Sequence, residues 1–146
     1  MHIKILVKVT IIFIIIIINS SCSTKQGFIK TKESPYELNI KKTSLSHDPV
    51  IYGYVYEFGT KNPVLAASVW NDKHYENKIV VDVKGKFKYI VKPGKHKIWA
   101  SFVGFRPCTT NSFEASKGDT IKIDFYLKID TNNFHDPVIK TKKTKK

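Results

Sequence analysis

The run DTIKIDFYLKI, residues 119 to 129, alternates apolar and polar side chains from Ile121 onward. Ile121, Ile123, Phe125 and Leu127 fall on one face, and Lys122, Asp124 and Lys128 on the other. A repeat of two is the pattern of a β-strand with one buried face, whereas a helix needs 3.6. The same alternation marks FKYIVK, with Phe87, Tyr89 and Val91 inward. VIYGYVYEF (50–58) is β-branched and aromatic. NPVLAASVW (62–70) follows a turn region from Gly59 to Pro63, and 77–105 carries two further turn signals, VKGK and KPGK. No stretch has a sustained helical apolar face. About seven short strands with turns every 8–12 residues predict an all-β chain built as a single small antiparallel β-sandwich over residues 49–130. That span is small for a core. Trp70, Phe87, Trp99, Phe102, Phe105 and Phe125 compensate, because each such ring buries about 150 Å² or more.

An ordered series of elements in this span resembles the carboxypeptidase regulatory-like domain, a transthyretin-like β-sandwich common in exported proteins of the Bacteroidota. IYGYVYEFGTKNPVLAASVW is similar to the family's opening, with Gly53, Val55, Gly59, Pro63, Ala67 and Val69 at the matching places. VVDVKGKF is similar to its hairpin, carried by Asp82, Gly85 and Phe87, with Val81 where the family has Thr. VKPGKHKIWASFVGF is similar to its Pro-Gly turn and aromatic corner, carried by Pro93, Gly94, Phe102, Gly104 and Phe105. Each element also has a local reason. Asp82 can accept backbone N–H bonds in the turn that Gly85 closes. Pro93-Gly94 presets one φ and supplies a positive one. Gly104 lets the chain bend between two aromatics expected to pack inward. These roles are structural, so the resemblance implies a fold and no chemistry.

The N-terminus predicts an address. His2, Lys4 and Lys8 precede the apolar run from Val9 to Ile18, which is shorter than the about 20 residues of a membrane span. Asn19-Ser20-Ser21-Cys22 resembles the lipobox of bacterial lipoproteins, with Asn19 where a large aliphatic residue is usual. The resemblance implies a signal peptide over 1–21 and an acylated Cys22 as mature N-terminus. An ordinary secreted protein and an uncleaved signal anchor are the alternatives. Residues 22–48, rich in Ser, Thr and Lys and without a sustained period, are read as a lipidated flexible tether. Within it YELNI (36–40) has the makings of an edge strand. Residues 131–146 are read as a disordered tail, because five of the last seven are Lys. HDPVI occurs twice, at 47–51 and 135–139, and Asp-Pro at each copy suits entry into a strand.

Charge and side-chain chemistry narrow the function. The chain has 25 basic and 12 acidic residues, net +13; without Lys4 and Lys8 it has 23 against 12, net +11. Arg106 is the sole arginine. Specific nucleic-acid readout leans on planar bidentate Arg, so no nucleic-acid partner is expected. The lysines suit a solvated surface or anionic envelope material. With Cys22 acylated, Cys108 has no partner in the chain and reads as a small buried hydrophobe. His47, His74, His96 and His135 show no metal-ligand spacing, and no nucleophile or carboxylate pair stands out. Neither an enzyme, a cofactor nor a metal site is expected.

Aromatics are the candidate binding surface. Tyr52, Tyr54 and Tyr56 share one face of a strand whose other face is Ile51, Gly53 and Val55. With Val55 inward, the tyrosines form an outward stripe. Trp70 and Tyr75 of WNDKHYEN are a second candidate. The expectation is a non-catalytic lipoprotein, anchored by lipid to a bacterial outer membrane and facing the periplasm, whose domain docks an envelope protein. The alternative is binding of a carbohydrate or anionic glycan through exposed aromatics and lysines.

Overall fold

The computed structural model describes residues 24–71 and 77–131. The signal, Cys22, Tyr75 and the Lys-rich tail with the second HDPVI therefore lie outside the described residues. The described chain is all-β. Its strands are β1 (Gly27–Ile29), β2 (Tyr36–Lys41), β3 (Val50–Glu57), β4 (Ser68–Asn71), β5 (Ile79–Val80), β6 (Lys86–Ile90), β7 (Gly94–His96), β8 (Ile98–Ser101), β9 (Cys108–Thr109), β10 (Phe113–Ala115) and β11 (Thr120–Leu127). Among the described residues no helix is long and apolar enough to cross a membrane.

The strand with the clearest alternation is the hub. β11 pairs antiparallel with β2 and parallel with β3, in a five-stranded sheet ordered β1-β2-β11-β3-β6. Its predicted inner residues, Ile121, Ile123, Phe125 and Leu127, are fully buried. Ile51 and Val55 of β3 and Phe87 of β6 extend that apolar face. Between Ile51 and Val55 a side chain is excluded, because a Cβ on Gly53 would overlap the Ile123 carbonyl oxygen across the sheet. A four-stranded sheet, β5-β4-β8-β9, contributes Val69, Ile98, Ala100 and Cys108. A two-stranded sheet of β7 and β10 adds Phe113 and Ala115. The buried residues of all three sheets form one core.

The expected tether is corrected over its middle. Residues 27–29 and 36–41 are strands, and β2 lies inside the sheet, between β1 and β11. Tyr36 and Leu38 are core residues. The cause is the second edge of β11: an eight-residue strand with an apolar face needs a partner on both sides, and β2 supplies one. The Tyr36 hydroxyl accepts the Asn111 N–H at 2.8 Å and ties this segment to the loop before β10. The folded unit thus includes residues expected to lie outside it, and eleven described strands replace the expected seven. β5, β7, β9 and β10, with two or three residues each, are too short to show a period.

The turn chemistry is local and follows the sequence. Asp82 Oδ1 accepts the N–H groups of Lys84 and Lys86, each at 2.8 Å. Those bonds, Lys86's first and then Lys84's, hold its carboxyl below the usual carboxylate range. Gly59, Gly85, Gly94 and Gly104 all have positive φ. Pro63 bridges to Tyr56, and the Val64 N–H bonds the Val55 carbonyl at 2.9 Å, folding the 57–62 turn back on β3. At Gly104 the packing differs from expectation. Phe105 packs on the core, whereas Phe102, across a 6.1 Å ring contact, is exposed, because no strand among the described residues covers that tip.

Candidate functional site

The outer face of the five-stranded sheet gathers the tyrosines. Since Ile51, Gly53 and Val55 face the core, Tyr52, Tyr54 and Tyr56 point outward and are half-buried. The parallel register sets Tyr126 beside Tyr56 and Asp124 beside Tyr54. The antiparallel register brings Glu37 opposite Asp124, and Phe28 opposite Glu37. The result is an aromatic ladder across the sheet. Tyr54 stacks on Tyr56 with centroids 5.5 Å apart and planes 14° from parallel. Tyr56 stacks on Tyr126 at 5.9 Å, and Tyr126 meets the exposed Phe28 ring at 5.6 Å.

A charged pair sits beneath the rings. Asp124 is buried on this outward face, 6% exposed. Its Oδ1 accepts the Tyr54 N–H at 3.1 Å, and its Oδ2 binds Lys122 Nζ at 2.8 Å. The hydrogen bond to Asp124 is the main cause that raises the Lys122 pKa. Desolvation by burial, then the Asp124 charge, raises the phenols of Tyr56 and Tyr126. At neutral pH these phenols are therefore hydroxyl donors. The Tyr126 hydroxyl donates to Glu37 Oε2 at 3.4 Å, and Asn39 Nδ2 donates to Glu37 Oε1 at 3.2 Å. The face offers ring edges, hydroxyls, the Glu37 carboxylate over the buried Asp124, and the lysines Lys86, Lys88 and Lys122.

Trp70 of the second candidate is in β4. It stands across from Trp99 of β8, and the two rings lie 9° from parallel with centroids 6.0 Å apart. Lys97 Nζ sits 5.1 Å from the Trp99 ring centre. Its predicted companion Tyr75 lies outside the described residues, as does the predicted lipidation site Cys22. Gly59, Pro63, Asp82, Gly85, Pro93, Gly94 and Gly104 form turns and contribute no side chain to the aromatic face.

A cleft of about 400 Å³ is lined by Asn71, Tyr89, Val91, Pro93 and His96, among others. His96 is held there by two contacts: Nδ1 lies 2.7 Å from Asn71 Nδ2, and Nε2 lies 2.7 Å from the Lys92 carbonyl oxygen. The Tyr89 hydroxyl is buried without a hydrogen-bond partner among the described residues, and burial pushes its pKa well up. Cys108 is also buried, its thiol bonded to the Ser34 carbonyl at 2.8 Å. Burial pushes that thiol up to about 12, which suits a structural and unreactive cysteine. Among the described residues no group of three His, Cys, Asp or Glu is placed to hold a metal ion.

Three members of the candidate surface escape sequence reasoning. Tyr126 is visible as an outward residue of the alternating run, but its partner Tyr56 lies far back along the chain. Phe28 falls in the expected tether, and Trp99, expected with Trp70 to fill the core, is instead half-buried outside it. No family model matches the chain, and no curated protein is recognisably similar to it in sequence.

Proposed function

We propose that the chain is a non-catalytic bacterial envelope lipoprotein whose domain docks a protein partner through the outer face of the five-stranded sheet. In this reading the domain is a small β-sandwich of the carboxypeptidase regulatory-like type, held by an acylated Cys22 at the periplasmic side of the outer membrane. The fold reading is supported by the shared core of the sheets and by the Asp82–Gly85 hairpin. One observation carries the function: the ladder Phe28–Tyr126–Tyr56–Tyr54, set over the Asp124–Lys122 pair. Rings that stack on one another present edges and hydroxyls, and leave few free faces for a sugar ring. A Tyr-rich patch matches the centre of a protein interface, where Tyr is over-represented, and Lys86, Lys88 and Lys122 beside it suit a polar rim. Small ligands are held in concave sites instead.

The test is cross-linking in cells followed by mass spectrometry of the envelope fraction, for the native chain and for Tyr54→Ala/Tyr56→Ala. The expected result is one dominant protein partner, with recovery in the double variant reduced at least about thirtyfold, the weight of a typical hot spot. An unchanged thermal midpoint serves as the folding control. Recovery of polysaccharide in place of protein favours the glycan reading, for which the Trp70–Trp99 pair and Lys97 are the next residues to change.

A further inference from the structure

β6 ends the five-stranded sheet, and its free edge has no partner strand among the described residues. The bonds on the side toward β3 fix which backbone groups point to that edge. The Val55 N–H bonds the Gly85 carbonyl at 2.8 Å, and the Val91 N–H bonds the Pro49 carbonyl at 3.0 Å. In an antiparallel ladder such bonded pairs alternate with unbonded ones. Phe87 and Tyr89 therefore bond to β3, while Lys86, Lys88 and Ile90 turn their N–H and carbonyl groups away from it. Both ends of the edge are closed. Lys86 donates its N–H to Asp82 Oδ1 at 2.8 Å and its carbonyl accepts the Asp82 N–H at 3.0 Å. The Lys92 carbonyl oxygen lies 2.7 Å from His96 Nε2. Between them, the N–H and carbonyl groups of Lys88 and Ile90 have no partner among the described residues. The edge is free because the other arm of the hairpin leaves it. Before Asp82 the chain belongs to the second sheet, where the Val81 N–H bonds the Ala67 carbonyl at 2.9 Å and β5 pairs with β4. The cleft of about 400 Å³ borders the end of β6, lined by Tyr89, Ile90 and Val91 together with Asn71 and Asn77.

We infer that the free edge of β6 takes an extended, acidic segment of a partner protein as an added strand. Such a strand is held by main-chain hydrogen bonds, and its alternate side chains set the choice of partner. Lys86 and Lys88 are exposed and face the same way, beside Tyr54 and Tyr52. Phe87 and Tyr89 face the core side. A strand laid on this edge meets lysines on one face and apolar groups on the other, which suits alternation of acidic and apolar residues. The described acids nearby are engaged: Asp82 in its turn, and Asp48 with Lys92 at 3.2 Å. Asp72 and Glu76, between Asn71 and Asn77, lie outside the described residues. A second copy of this chain fits less well, because pairing β6 with β6 sets lysine against lysine. The site is independent of the tyrosine ladder, since its donors and acceptors are backbone groups of β6.

Amide hydrogen exchange on the native chain, as the cell processes it, tests this. The probes are two peptides of about eight residues, one alternating valine with glutamate and one alternating valine with lysine. The expected result is that exchange at the Lys88 and Ile90 N–H groups slows at least about tenfold with the glutamate peptide and not with the lysine peptide. Added salt weakens the effect. Lys86→Glu/Lys88→Glu should reverse the preference between the peptides. Ile90→Pro should abolish the response; proline is tolerated at a free edge, and a urea midpoint checks its fold. No slowing with the glutamate peptide, equal slowing with both, or a preference that survives the charge reversal overturns the inference. So does protection that is present without peptide and rises with protein concentration, which would put a second copy at the edge.

Discussion

Ser34 is fully buried and satisfies both sides of its hydroxyl. Its Oγ donates to the Arg106 carbonyl at 2.9 Å and accepts the Lys128 N–H at 3.1 Å, while its own carbonyl accepts from Thr31 Oγ1 at 2.7 Å. One small side chain thus joins the segment before β2 to the 106 loop and to the end of β11. Ser34→Ala takes a partner from the Arg106 carbonyl and the Lys128 N–H, both partly buried, which costs about 1–3 kcal/mol. The urea midpoint should fall by that amount divided by m, with m itself unchanged. Cys108 beside it gives a pH-dependent effect. Its ordinary pKa of 9.0 is pushed up to about 12 in the folded chain, so above 9.0 the unfolded thiol loses its proton first. Stability from this group is complete below pH 9.0 and declines as pH rises toward 12. Urea midpoints across that range should show this decline, less steep in Cys108→Ala. None of this is legible in sequence. Ser34 lies in a Lys- and Ser-rich stretch, and its partners are 72 and 94 residues away.

β11 and β2 show why one strand can be read and its neighbour cannot. β11 carries four inward apolar residues in a row, enough repeats to define a period of two. β2 buries only Tyr36 and Leu38, with Asn39 and Lys41 beside them, and its place inside the sheet depends on a partner strand far along the chain. The short strands β5, β7, β9 and β10 are set by tertiary packing alone. The Asp82–Gly85 hairpin was legible because its hydrogen bonds close within four residues. A consequence at this scale is that the domain cannot begin at residue 49. Leu38→Ala should destabilise by about 2–5 kcal/mol, as for other fully buried leucines. A chain starting at residue 49 should aggregate, because it leaves β11 as a long unpaired edge. Light scattering and urea titration check the two outcomes.

Across the molecule, the sheets share one core and expose two dissimilar aromatic surfaces. The outward tyrosines of β3 were legible because Val55 and Ile51 fix the opposite face as core. The ladder itself was not, since Tyr126 and Phe28 reach it through β11 and β1. Its geometry explains why Asp124 is buried on an outward face: the stacked rings cover it while Lys122 and the Tyr54 N–H balance its charge. On the proposed function this face, rather than the Trp70–Trp99 surface, meets a partner. Site-specific photo-cross-linking in living cells tests it, with the photoreactive residue placed in turn at Tyr54, Tyr126 and Lys97. The expected result is a discrete protein adduct from Tyr54 and Tyr126 and none from Lys97. An adduct from Lys97 alone, or no adduct from the tyrosine positions, would contradict it.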